Sequence, residues 1–150
     1  MKKKEIKANE KIEIDQSKKE ELQQRYIELQ LLNQQIVQLQ KQLTLIDQQA
    51  VELVELKSNL DEVVGIGAER DILFPIGAGV FLKGRLTNTK EALINVGNGV
   101  VLQKDIFNAK EIISERIDEL NKIIQQIESS LLQASLQSQY LEYEIGGFRQ

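Results

Sequence analysis

Apolar residues recur at alternating spacings of three and four along two long stretches of this chain. The first seam runs Leu22, Leu29, Leu32, Ile36, Leu39, Leu43, Ile46, Ala50, Leu53, Leu60 and Val64, with Arg25 and Lys57 at its two polar positions. The second runs Ile106, Ile113, Ile117, Leu120, Ile124, Ile127, Leu131, Ala134, Leu141 and Ile145, interrupted by Lys110 and Ser138. A 3.5-residue repeat kept up over such lengths predicts helices that supercoil around a partner. Ser17-Lys-Lys-Glu20 forms a capping box that predicts the first helix start at Ser17. Asp105 or Asn108 can start the second, and Gly146-Gly147 are expected to end it. From Ser17 to Leu60 such a helix would be roughly 65 Å long at about 1.5 Å per residue.

The two stretches have nearly equal length and are joined at one end, so they are expected to pair antiparallel within the chain. Setting Leu60 against Ile106 to Asn108 fixes a register. It places Lys57 near Lys110, Tyr26 near Tyr140 to Tyr143, and Leu22 near Ile145. Two lysines facing each other predict a splayed point in the coil.

Between the helices the pattern changes. Seven of the nine glycines and the single proline, Pro75, lie between Gly65 and Gly99. Four strand-like segments stand out: Ile72–Ile76, Val80–Lys83, Ala92–Val96 and Val100–Gln103. Gly77-Ala78-Gly79 separates the first pair and Gly97-Asn98-Gly99 the second, and Asn-Gly is a strong hairpin signal. The segment from Gly77 to Lys83 repeats in that from Gly97 to Gln103, which predicts two similar hairpins. The strands carry apolar doublets, Leu73-Phe74, Phe81-Leu82, Leu93-Ile94 and Val100-Val101. Neighbouring strand residues point to opposite faces, so both faces are apolar in places. Open edges and uncovered apolar faces invite pairing with other chains. Closure into a barrel with strands of other subunits would remove both, so obligate oligomerisation is expected.

Composition narrows the chemistry. The chain contains no Cys and no His, which removes disulfides, thiol chemistry and the common zinc ligands. A cytoplasmic location is consistent with that. A net charge of −4 offers no footprint for nucleic acid, and no apolar run approaches a membrane span of about 20 residues. Residues 1–16 are charged throughout, lack a signal-peptide core and are expected to be a flexible tail. Gly65-Ile-Gly67 and Gly77-Ala-Gly79 do not complete a Gly-x-Gly-x-x-Gly motif, because Arg70 and Leu82 stand at the third position. No carboxylate cluster separates from the helix faces. No enzyme activity and no cofactor are expected.

The order of helix, two hairpins and helix, with Phe74-Pro-Ile-Gly-Ala-Gly-Val-Phe-Leu-Lys-Gly-Arg-Leu86 and Ala92-Leu-Ile-Asn-Val-Gly-Asn-Gly-Val-Val-Leu-Gln-Lys-Asp105, resembles the alpha-subunit class of the prefoldin family in its compact archaeal form. The second hairpin separates that class from the single-hairpin beta class. The resemblance covers Ser17 to Ile145 and implies an α+β, mostly α fold: a long antiparallel two-helix coiled coil, with its hairpins in an oligomeric β-barrel body. The residue patterns divide the chain into a tail (1–16), helix (17–64), double-hairpin module (65–104), helix (105–145) and mobile C-terminal tip (146–150). The resemblance further implies a heterohexamer of two alpha and four beta subunits, which captures unfolded client proteins at the coiled-coil tips without ATP and passes them to a group II chaperonin. The candidate client-binding residues are Leu22, Tyr26, Ile27, Leu29, Tyr140, Leu141, Tyr143, Ile145 and Phe148. The candidate assembly residues are Ile72, Phe74, Ile76, Val80, Leu82, Leu93, Ile94, Val96, Val100 and Leu102. A structural scaffold whose tips dock one defined partner is the alternative.

Overall fold

The computed structural model describes residues 1–149 and contains two helices and four strands in the order α1 (Lys2–Ile66), β1 (Arg70–Gly77), β2 (Val80–Leu86), β3 (Glu91–Gly97), β4 (Val100–Asp105) and α2 (Ile106–Phe148). The chain divides into two compact units. A helical unit comprises Met1–Leu45 and Ile124–Gln150, and a hairpin unit comprises Ile46–Ile123.

In the helical unit the seam residues pack as their spacing predicts. Leu32, Ala134 and Leu141 form a buried cluster, with Leu29 and Ile36 against it. Ile127 and Ile145 are buried as well. The polar seam positions are satisfied across the two helices. Ser138 is buried and its hydroxyl donates to Asn33 Oδ1 at 3.0 Å. Arg25 Nε lies 3.4 Å from Glu144 Oε2.

Both predicted helix limits in this unit move outward. The helix α1 begins at Lys2, so Ser17 lies inside it and caps nothing. Residues 2–16 contain no Gly or Pro and are dominated by Lys, Glu and Ile, so no local signal stops the helix at Ser17. Continued backwards, however, the seam meets Lys18, Asp15, Lys11 and Lys4, and every residue from Met1 to Glu21 is exposed. The expected flexible tail is thus helical and solvated. At the other end α2 runs through Gly146 and Gly147 to Phe148. Each glycine costs a helix about 1 kcal/mol, but Ile145 is anchored in the seam, and the Arg149 amide donates to the Gly146 carbonyl at 3.3 Å to close the last turn.

In the hairpin unit α1 runs past Gly65 and ends where Gly67 takes a φ of 80°. The Gly67 amide still donates to the Val63 carbonyl, the arrangement of a left-handed helix cap. Because α1 is longer than its seam suggests, the paired register slips by up to a turn. Lys110 pairs with Asp61, while Lys57 lines one cleft with Phe107 and Lys110, as the spacing predicts. Ile106, Ala109 and Ile113 are buried beside it, so the helices close here and the predicted splay is absent. The seam also slips locally: Val63 is half-buried and Val64 exposed, the reverse of the expectation for Val64.

Asp105 is the cap of α2. Its Oδ1 accepts from the Asn108 amide at 2.7 Å and its Oδ2 from the Asn108 side chain at 2.6 Å. Asp105→Ala is expected to cost about 1 kcal/mol, read as a lower midpoint in urea denaturation followed by circular dichroism.

The strands form two separate two-stranded sheets, β1–β2 and β3–β4. The internal repeat is exact in register. Phe74 pairs with Leu82 and Ile94 with Leu102, and the register shifts once in each, between Pro75 and Gly77 and between Asn95 and Gly97. Both turns use two residues at positive φ, Ala78 and Gly79 in one, Asn98 and Gly99 in the other. That is the turn whose twist matches paired strands. Backbone bonds from Glu69 to Leu86 and from Ile106 to Lys90 close the bases of the two hairpins. The hairpins differ in how they are held. Ile94 is buried and the Asn95 carbonyl accepts from Arg116 Nη2 of α2 at 3.1 Å. At the repeat-equivalent of Ile94, Phe74 is exposed, with its ring resting on Gly84, where a Cβ would overlap it.

Candidate functional site

Two kinds of surface carry the candidate residues. The first lies in the hairpin unit. Strand alternation puts Ile72, Phe74, Leu82, Gly84 and Leu86 on one face of the first hairpin, and Leu73, Pro75 and Phe81 on the other. Both faces are open: Phe74, Leu82, Leu73 and Phe81 are all exposed. The second hairpin repeats this with Leu93 and Val101 exposed on one face and Leu102 on the other. Of the candidate assembly residues, Phe74, Ile76, Val80, Leu82, Leu93, Val96, Val100 and Leu102 are exposed and Ile72 is half-buried. Ile94 is corrected: it is 9% exposed, buried within its own subunit, and serves the fold. Sequence reasoning omitted Leu73, Phe81 and Val101 from the candidates, although the apolar doublets mark all three. Folded proteins rarely leave large apolar faces uncovered, so these open faces are the largest departure from an ordinary surface in the hairpin unit.

The second surface lies in the helical unit, around the end that carries Tyr26 and Arg149. Arg25 sits half-buried between Glu28 and Glu144, at 3.6 and 3.4 Å. Arg149 Nη2 donates to the Tyr26 hydroxyl at 2.6 Å. Glu144 Oε2 is buried, with Arg25 Nε 3.4 Å away as its ion-pair partner. Hydrogen bonding to the Glu144 carboxylate, and that carboxylate's charge, push the Tyr140 pKa above the usual tyrosine value. Glu144→Gln removes the charge and is expected to bring the Tyr140 titration back down, observable as an earlier rise in tyrosinate absorbance on alkaline titration.

The candidate client residues divide sharply by exposure. Tyr26, Ile27, Tyr140, Tyr143 and Phe148 are exposed, and Leu22 and Leu29 half-buried. Leu141 and Ile145 are corrected: at 2% and 5% exposure they belong to the seam and cannot touch a client while the coil is closed. Exposed Leu31, Val37, Leu132 and Leu136 were missed, because they lie off the heptad seam that organised the sequence reading.

Among the described residues, no group of three or more acidic, His or Cys side chains is placed to hold a metal, and no helix is long and apolar enough to cross a membrane.

Comparison with known proteins agrees with this architecture. The prefoldin subunit family model matches residues 32–146, which take in both hairpins and most of both seams. The prefoldin subunit alpha of Methanococcus aeolicus is 33% identical over 130 residues, covering 84% of this chain and 88% of the relative. The prefoldin subunit alpha 1 of Thermococcus kodakarensis is 37% identical over 105 residues, 70% of each chain. A chain in the cryo-EM structure of filamentous PFD from Methanocaldococcus jannaschii superposes with a TM-score of 0.70, covering 77% of this chain and 96% of that one, at 16% identity, and so shares the fold. Seams, duplicated hairpins and these matches together show that the chain belongs to the prefoldin family of chaperone subunits, in its alpha class.

Proposed function

We propose that this chain is the alpha subunit of an ATP-independent holdase of the cytoplasm. It assembles with beta subunits, two alpha to four beta, through its hairpins. The exposed surfaces of its helical unit hold unfolded proteins, and the complex releases them to a group II chaperonin. The observation that carries this reading is the pair of hairpins, each apolar on two open faces, within a chain of the prefoldin family. Weak contacts repeated over several subunits add through effective concentration, so no single site needs high affinity.

The test is aggregation of reduced, unfolded lysozyme, followed by light scattering with and without the chain assembled with its beta partner. Suppression without nucleotide, and no change on adding ATP, is the expected result. Aggregation that proceeds unchecked would sink the holdase reading. A second reading has one observation in its favour. The ion-paired cluster of Arg25, Glu144 and Glu28, with Tyr26 held by Arg149, is a defined polar pattern of the kind a scaffold uses to dock one partner. A scaffold would bind one folded protein tightly and leave lysozyme aggregation unchanged.

A further inference from the structure

Asn98 is the one asparagine of this chain that is followed by glycine. It stands exposed at the tip of the second hairpin, at a φ of 52°, with Gly99 at 73°. A Cβ built on Gly99 would meet nothing within 4 Å, so nothing crowds the peptide link between them. The last hold on this hairpin is at Asn95, whose carbonyl accepts from Arg116 and whose Oδ1 accepts from the Gly97 amide at 3.0 Å. The other asparagines are protected. Asn33, Asn88, Asn95 and Asn108 are hydrogen-bonded through their side chains. Asn9, Asn59 and Asn121 lie inside α1 and α2, where helical bonds hold the next peptide nitrogen. The first hairpin makes the same turn with Ala78, at a φ of 46°, so the turn itself does not require an amide side chain.

An asparagine before glycine is chemically labile, because glycine has no Cβ to hinder an approach by its backbone nitrogen. The Gly99 nitrogen attacks the side-chain carbonyl carbon of Asn98. The bond from that carbon to its amide nitrogen breaks, and ammonia leaves with the proton given up by the Gly99 N–H. The product is a cyclic imide. Water opens the ring at one of its two carbonyls, giving aspartate, or isoaspartate in which the main chain runs through Cβ and Cγ. An amide and water become a carboxylate and ammonium, with nothing oxidised or reduced. Ring closure needs the Gly99 nitrogen to swing toward Cγ, out of the tight turn, so the rate follows opening of the hairpin tip. The pair β3–β4 is a separate two-stranded sheet, and a lone two-stranded hairpin is marginal in water.

We propose that Asn98 is a deamidation site that marks chains left outside the complex. Turn type and loop length fix the register of a hairpin. Isoaspartate lengthens the main chain inside this two-residue turn, so the pairing of Ile94 with Leu102 and of Leu93 with Gln103 is lost, and with it the ordered faces. In an assembled body neighbouring strands hold the hairpin and the tip stays shut. The marking role rests on the assembly reading above; the lability of Asn98 does not.

For the test, the isolated chain and the chain assembled with its beta partner are held at mildly alkaline pH, below the thermal transition. Peptides are read by mass spectrometry, with chromatography to separate aspartate from isoaspartate. The isolated chain is expected to convert at Asn98 before any other asparagine. With the beta partner at about a hundred times its dissociation constant, the rate is expected to fall about a hundredfold, as the free chain does. Isoaspartate chains are expected to be missing from complex remade with fresh partner. Asn98→Ala, for which Ala78 is the precedent, is expected to assemble like the wild type and to keep that ability after the same incubation. Should alanine unfold the hairpin, Asn98→Gly takes its place, because glycine accepts positive φ and carries no amide. An unmodified Asn98, or conversion no faster than at other asparagines, overturns the proposal. So does equal conversion in the complex and the isolated chain, or an Asn98→Ala chain that loses assembly on incubation as the wild type does. A fresh wild-type chain that never joins the beta partner overturns the assembly reading, and the marking role falls with it.

Discussion

Leu141→Ala is expected to destabilise the helical unit by about 3 kcal/mol, the usual cost of emptying a fully buried leucine site. Leu141 is 2% exposed and packs in one cluster with Leu32 and Ala134. The cavity has no means of collapsing, because two helices with a continuous seam hold their separation through the neighbouring layers, Ile145 among them. Total stabilities of small domains are about 5–15 kcal/mol, so the loss is a large fraction of what holds this unit together. Thermal unfolding followed by circular dichroism should show a first transition moved to lower temperature. The hairpin unit, held by its own layer of Ile106, Ala109 and Ile113, should melt as before. An unchanged melting curve would mean that the seam at Leu141 is open in solution, and would restore that residue as a candidate for client contact.

The second large effect is on assembly. Leu82→Lys combined with Leu93→Lys is expected to abolish complex formation with a beta-type partner while leaving the isolated chain folded. Both side chains are open, at 55% and 73% exposure, so lysine is free to extend into water in the lone subunit. Within an assembled body the same lysines would be buried without a counter-ion. Each substitution also gives up about 1.5–3 kcal/mol of apolar burial. Together these terms raise the dissociation constant by at least about a thousandfold. Sedimentation velocity should show the variant chain and the beta partner moving separately, with an unaltered helical circular dichroism signal. A complex of full mass would show that the hairpin faces are not the assembly surface.

The two halves of the architecture were legible in the sequence to different depths. The seam of α2 is recovered from Ile113 to Ile145, because burial of a heptad position follows from its phase, but at its start Ala109, fully buried, takes the place the pattern assigned to Lys110. The hairpins are also recovered, together with their twenty-residue offset, because Gly77, Gly79, Gly97, Asn98 and Gly99 tolerate the positive φ that these turns need, with Ala78 held at a φ of 46° between two of them. The helix limits were not. Ser17 reads as a cap, but a capping residue marks a start only if the chain before it leaves the helix, and residues 2–16 are themselves good helix formers. Gly146 and Gly147 read as a stop, but local propensity yields to the tertiary anchoring of Ile145. The candidate site suffered from reliance on the seam. Leu141 and Ile145 are apolar and near the end of α2, yet buried, whereas Leu132 and Leu136 lie off the seam and are exposed.

By itself the sequence determined which residues face the partner helix, where the chain turns back in each hairpin, and which chemistries are excluded by the lack of Cys and His. These follow from periodicity, from the φ values that glycine and asparagine tolerate, and from composition, none of which needs a neighbour. Only the tertiary structure decided the register. A heptad pattern looks the same after a shift of one repeat, so it leaves the axial position of two helices open. That position is set by how far α1 runs before Gly67 caps it and by the cap that Asp105 places on α2. Register in turn selects Asp61 for Lys110, Asn33 for Ser138 and Glu144 for Arg25.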